Sequence, residues 1–200
     1  ALAVLASAAL WSMSAHSAVT FSSSSAVPDQ GLAYGFEASD VLPGFVTLTG
    51  GRVTTGTSGI AAQPPGSTGN YWSFGVTPPN SSTGSMTFDG AGVSEVSFLW
   101  GSPDTYNSLS YSYTNQAGMV FNKSLLGTAL NGNRDVVVYL TLLGTEGDRI
   151  TGLNFMSSSD AFEVDNFRFV SAVPEPKTYA LMLAGLMAVV YVSGRRQRSN

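Results

Sequence analysis

A period of two constrains this chain more than any other feature. Between residues 108 and 113, Leu109, Tyr111 and Tyr113 alternate with Ser108, Ser110 and Ser112. Such alternation sends rings to one side of a strand and hydroxyls to the other, the pattern of a sheet with one wet face. Residues 93–100 repeat it, with Val96, Phe98 and Trp100 on one side. From Leu32 onward the chain is a series of short apolar runs, and none in the body sustains a 3.6-residue period. Strands are predicted at about 32–37, 45–49, 71–77, 85–89, 93–100, 108–114, 118–122, 135–142, 149–156 and 161–170. The breaks between them, such as Pro43-Gly44, Pro78-Pro79-Asn80 and Asn131-Gly132-Asn133, are turn residues for physical reasons. Gly supplies positive φ, Pro presets φ, and Asn and Asp bond their own backbone. Residues 135–143 are nearly all apolar, which predicts a central strand covered on both faces. Many short strands with regular turns predict an all-β fold, a jelly-roll-like β-sandwich. Two segments stand apart. Residues 19–30 are Ser-rich and read as a loose leader or a first edge strand. Residues 51–70 are dominated by Gly, Ser and Thr, with Gln63-Pro64-Pro65, and read as a long surface loop or a poorly ordered insertion.

Neither end follows the sheet pattern. The chain opens on an apolar block from Ala1 to Trp11, followed by small residues around Ser14-Ala15-His16-Ser17-Ala18. This is the h-region and cleavage region of a secretory signal peptide, predicted over 1–18, with a start that reads as truncated because the basic n-region and the Met are missing. Cleavage after Ser17 places Ala15 at −3, a better fit than cleavage after Ala18, which places His16 there. At the other end Val173-Pro174-Glu175-Pro176 precedes a run, 178–194, without a charge, and Arg195-Arg196-Gln197-Arg198 follows. A membrane span needs roughly 17 to 25 apolar residues, so a short transmembrane helix is predicted at about 178–194. The arginines would stay cytoplasmic, leaving everything before the span on the far side. Pro174 and Pro176 hold residues 173–176 extended and exposed.

Proline pair, short span and terminal arginines in that order resemble the PEP-CTERM sorting signal of Gram-negative bacteria, over residues 173–198. The resemblance implies Sec export, transient anchoring in the inner membrane, and processing by exosortase near Pro174-Glu175-Pro176. It implies a destination at the cell surface, in biofilm or in extracellular polysaccharide. Its signal residues are Val173, Pro174, Glu175, Pro176, Arg195, Arg196 and Arg198, and the exported domain is 19–172. Tyr71-Trp72-Ser73, Ser97-Phe98-Leu99-Trp100-Gly101-Ser102, Tyr106-Asn107 and Asp165-Asn166-Phe167 also resemble pieces of an exosortase-dependent surface-protein family, which implies a surface role and no defined ligand.

Charge and composition exclude several functions. Between Val19 and Pro176 five basic residues (Arg52, Lys123, Arg134, Arg149 and Arg168) meet all 13 acidic residues, a balance of −8. An acidic body without a basic cluster is no nucleic-acid binder. Without cysteine there is no disulfide framework and no thiolate metal site. The single His is His16, in the expected leader, so the body lacks the Ser/His and Cys/His nucleophile systems and is read as a non-enzyme. A carboxylate pair can cleave glycosides, and Asp148, Asp160, Glu163 and Asp165 are available, but no motif sets two of them face to face.

Two places could carry a ligand. In 161–170, Phe162 and Val164 share one parity while Phe167 and Phe169 have the other. A bulge at Asp165-Asn166 would keep all four inside and turn carboxylates and carbonyls toward one spot. Ca²⁺ takes oxygen ligands, and an early Glu with a late Asp resembles the structural calcium site of many jelly-roll carbohydrate-binding modules. Glu37 and Asp165 are thus a candidate structural Ca²⁺ pair, against a plain reading as a surface carboxylate and an Asx turn. The second place is Trp100, Asp104, Tyr106 and Asn107, since aromatic faces stack on sugar rings and Asp and Asn bind hydroxyls. The plain alternative puts Trp100 in the core beside Val96 and Phe98, with a capped turn after it. Three functions follow: a structural or adhesive surface protein, a lectin-like carbohydrate-binding module, and a glycosidase-like enzyme.

Overall fold

The computed structural model describes residues 19–27, 31–130, 138–145, 147–172 and 182–187. Twelve strands follow one another: β1 (Val19–Ser24), β2 (Leu32–Tyr34), β3 (Val46–Gly50), β4 (Arg52–Thr55), β5 (Asn70–Phe74), β6 (Thr83–Phe88), β7 (Val93–Trp100), β8 (Asn107–Thr114), β9 (Val120–Leu126), β10 (Val138–Gly144), β11 (Arg149–Ser157) and β12 (Phe162–Ser171). A 3-10 turn, Gly127–Leu130, follows β9.

The alternation explains how these strands stack. In β8, Leu109, Tyr111 and Tyr113 are buried and the serines between them are not. One layer runs β3-β6-β11-β8-β9, every pair antiparallel. The other runs β1-β10-β7-β12, with β5 and β2 sharing the far side of β12 and β4 outside β5. The layers meet at a corner where Ile150 of β11 pairs with Val93 of β7. Their apolar rows face each other as a β-sandwich. Phe155 from the first layer stacks on Phe74 at 5.1 Å and meets Phe98 edge-on at 5.6 Å. Trp100 lies flat on Phe162 at 4.4 Å. Burying each such ring contributes about 1.5–3 kcal/mol.

The predicted bulge in β12 is present. Its pairing with β7 shifts register between Asp165 and Arg168, and Asn166 takes φ 51°. Phe162, Val164, Phe167 and Phe169 are all buried as a result. β10 lies between β1 and β7, and Val138, Tyr139 and Leu140 are buried on both sides, although cover is lost by Leu143. Residues 135–137 of that prediction lie outside the described residues. Residues 19–24 are the edge strand of the two alternatives.

Of the two alternatives for 51–70, the long surface loop describes 56–69 and the poorly ordered insertion is corrected. The start of the segment is strand β4, paired with β5. The remainder, 56–69, is a strap over the outside of β5 and β12. Tyr71 donates from its hydroxyl to the Gly56 carbonyl at 2.6 Å, and the Asn80 amide donates to the Ile60 carbonyl at 2.9 Å. Pro64 seats on Gly101, where a Cβ would come within 2.8 Å of its ring.

The expected signal peptide, 1–18, lies outside the described residues, as do Val173, Pro174, Glu175, Pro176, Arg195, Arg196 and Arg198. Within the expected span only 182–187 is described, and it is helical. Among the described residues no helix is long and apolar enough to cross a membrane.

Candidate functional site

The carboxylates of β12 define the most unusual chemistry of the molecule. Glu163 and Asp165 have the outward parity, yet they are 2% and 1% exposed because the strap covers them. The strap reaches them with donors. Ala62 gives its backbone N–H to Glu163 Oε1 at 2.8 Å, and the Ser67 hydroxyl donates to Asp165 Oδ2 at 2.6 Å. At its end, the Asn70 N–H donates to Glu37 Oε1 at 2.7 Å. Burial pushes the Glu163 carboxyl up to about 7; the Ala62 bond opposes this and the nearby Asp104 adds to it. Burial likewise pushes Asp165 up to about 6, opposed by the Ser67 bond and a bond from the Asn166 N–H, with Glu37 and Asp40 adding to the rise.

Around Asp165 a set of oxygens converges. Gly35 has no side chain, and the place its Cβ would take lies 3.4 Å from Asp40 Oδ2, 3.5 Å from Asn166 Oδ1 and 3.6 Å from Asp165 Oδ1. Asp40 Oδ2 accepts from the backbone N–H groups of Gly35 at 2.6 Å and Glu37 at 3.2 Å. Asp165 Oδ1 is buried and accepts no hydrogen bond. A cavity of about 340 Å³ opens beside them, lined in part by Gly35, Glu37, Asp40 and Asn166. The structure therefore brings Glu37 and Asp165 to one place and adds Asp40 and Asn166, which the sequence reading missed. The spacing Gly35-x-Glu37-x-x-Asp40 was the available signal, because a short-range Asp can fold back on preceding N–H groups. The donors are all oxygen, as Ca²⁺ requires, and an unpaired buried carboxylate oxygen is the defect that a cation would mend. Among the described residues, however, no group of three His, Cys, Asp or Glu side chains is close enough to hold a metal. A cation here would need the Asn166 amide oxygen, backbone carbonyls or water to complete its shell.

The second predicted site is corrected. Trp100 is 0% exposed, sandwiched in the core, and has no free face for a sugar. Asn107 is buried too, its amide donating to the carbonyls of Ser102 at 3.0 Å and Ala161 at 3.3 Å while its oxygen accepts from Ser157. The Tyr106 hydroxyl donates to Asp104 Oδ2 at 2.8 Å. The four residues are thus adjacent, but Trp100 Nε1 is buried without a partner, and the polar groups of Asp104, Tyr106 and Asn107 bind one another, the turn after β7 and the β11–β12 connection. Asp104 and Glu163 do approach each other, a pairing that β12 and the turn create and no motif announced. Asp104 is 4% exposed, and the cavity beside the pair is about 100 Å³, well below the roughly 300 Å³ of ordinary ligand pockets.

No protein-family model matches the chain, and no curated protein matches it. Among solved structures it is similar to the family 11 carbohydrate-binding module of the cellulosomal cellulase Lic26A-Cel5E of Clostridium thermocellum, with a TM-score of 0.31 and 14% identity over 76% of this chain and 99% of that one.

Proposed function

We propose that this is an exported protein of the cell surface or extracellular matrix, delivered by its C-terminal signal and structural or adhesive in role. Export through Sec, transient anchoring in the inner membrane and cutting by exosortase near Pro174-Glu175-Pro176 would release a jelly-roll-like sandwich to the envelope exterior or the extracellular polysaccharide. One observation supports the part of this reading that sets the tail apart from the domain. In the helical segment 182–187, Met182 is 70% and Leu186 62% exposed, so these side chains are not part of the sandwich core. Large apolar side chains turned outward on a helix are costly in water and suited to lipid. Replacing Glu175 with Ala in the native cell should leave uncut protein in the inner membrane. Processing at the wild-type rate would remove exosortase recognition of this segment.

A calcium-stabilised carbohydrate-binding module is the second reading, favoured by the unpaired Asp165 Oδ1 among the oxygens of Asp40 and Asn166. Glu37 would stand behind them, held by Asn70. If Ca²⁺ binds there, saturating ion should raise the melting midpoint of the full chain, by about 2.7 kcal/mol of stability at a hundredfold excess over Kd. Identical midpoints in Ca²⁺ and in chelator would eliminate the ion.

A further inference from the structure

The outer face of the β3-β6-β11-β8-β9 layer carries a pattern that neither the core nor the sorting segment requires. Thr49 pairs with Ser85, Ser85 with Asn154, Asn154 with Ser110, and Ser110 with Ser124. One straight row of short polar side chains therefore crosses five strands, a distance of about 19 Å at the usual strand spacing. The flanks of the row satisfy themselves. Thr49 and Ser85 share a hydrogen bond of 2.6 Å, and Ser110 and Ser124 one of 2.9 Å. Asn154, in the middle, has no hydrogen-bond partner for its amide among the described residues, and it is exposed. It lies in a groove of about 350 Å³, whose walls include Ser85, Ser110 and Met156. Met156, 51% exposed, supplies the groove's apolar side.

We propose that this groove binds a neutral polysaccharide, laid across the strands with the Asn154 amide as its central contact. The occupant follows from charge and from donor chemistry. None of the row's side chains is charged, while the body as a whole stands at −8. An anionic polymer would be repelled by that body, and a cationic one would be drawn to the carboxylates elsewhere. Hydroxyls and a primary amide both donate and accept, which matches a polyol, and the Met156 side chain can pack on the C–H face of a sugar ring. The inference rests on the surface-or-matrix reading for the presence of such a polymer, and it deepens that reading by giving the adhesion a site.

The test is affinity electrophoresis of the full chain in detergent through gels containing soluble mixed-linkage glucan, xylan, galactomannan or anionic alginate. Retardation is expected with at least one of the three neutral polymers and not with alginate. Asn154→Ala should weaken it about 10-fold, the loss of roughly one good hydrogen bond. Ser85→Glu should abolish it by placing a charge in the groove. Melting curves of both variants check that the fold survives, and Asn154→Gln, which keeps the amide, should retain part of the binding. No retardation in any neutral gel, retardation by alginate alone, or equal binding by wild type, Asn154→Ala and Ser85→Glu each overturns the proposal. Its failure is separate from failure of the sorting reading. The latter is scored by processing of Glu175→Ala in cells, which the groove variants should leave unchanged.

Discussion

The two layers of the sandwich turn the same kind of alternation outward, with opposite results. On the β3-β6-β11-β8-β9 layer the outward residues are mainly Thr, Ser and Asn, with Met156, Val120 and Leu126 among them, and they meet water. On the β7-β12-β5 region of the other layer the outward residues Leu99, Glu163, Asp165, Tyr71 and Ser73 are all buried. Strand periodicity is equal in the two, so it decides only which side chains leave the core. What decides whether they reach water is the strap 56–69, a segment with no periodicity at all. The strap also covers chemistry that resists covering. Carboxylates pushed up to about 7 and about 6 are carboxylates whose charged form is disfavoured by burial. The strap offsets this with donated N–H and O–H groups and with the seat of Pro64 on Gly101.

The largest expected effect comes from removing the ring on which the covered region rests. Trp100 stacks on Phe162 beneath the strap, so Trp100→Ala should destabilise the chain by about 3–5 kcal/mol. Denaturant unfolding measures it. A loss under about 1 kcal/mol would mean that the ring is at the surface and that this side is as open as the other.

Next in size is a pH dependence that only the covered side should show. Unfolded, Glu163 and Asp165 return to 4.5 and 3.8; folded, they lie at about 7 and about 6. A raised folded value favours the native state when the group is protonated. Their contribution is therefore fully present below about pH 4 and is lost as pH rises through 6 and then 7, by about 3 kcal/mol for each group at most. Glu163→Gln keeps an oxygen for the Ala62 N–H and removes the charge. It should match wild type near pH 4 and be the more stable at pH 8, by denaturant midpoint. The same pH slope in both proteins would show that Glu163 is not buried in its charged form.

The comparison also explains what could be read from the residues alone. The open layer was legible because period two, turn residues and apolar parity all agree there. Even the bulge in β12 follows from the parity switch between Val164 and Phe167. The strap was not legible. Its Gly, Ser, Thr and Pro residues have the composition of a solvent-exposed loop, and its partners lie far along the chain, 101 residues from Ala62 to Glu163 and 98 from Ser67 to Asp165. Trp100 and Asn107 looked like a sugar site for the related reason that polar residues after a strand resemble a surface turn. Parity with Val96 and Phe98 pointed Trp100 inward, whereas Asn107 is buried only because Ser157 and Ala161 come back against it. Glu37 and Asp165 could be paired from sequence, whereas Asn166 joins them only because the bulge gives it a positive φ.

The smallest effect tests the open side directly. Thr87 lies outward on β6, exposed, between Thr47 and Gly152 in the adjacent strands. A lysine there can extend into water without meeting a cover or losing a buried partner. The only changes are a modest loss of strand preference and one charge of sign opposite to that of the acidic body. Thr87→Lys should therefore stay within about 0.5 kcal/mol of wild type. The matched change on the other layer is Ser73→Lys, at a position fully buried and paired with Glu163. There a lysine must displace the strap or lose its hydration, and the penalty should be several times larger. Equal penalties at the two positions, read from denaturant midpoints, would abolish the distinction between a bare face and a covered one. A penalty above about 2 kcal/mol at Thr87 would mean that something also lies over the hydroxyl rows.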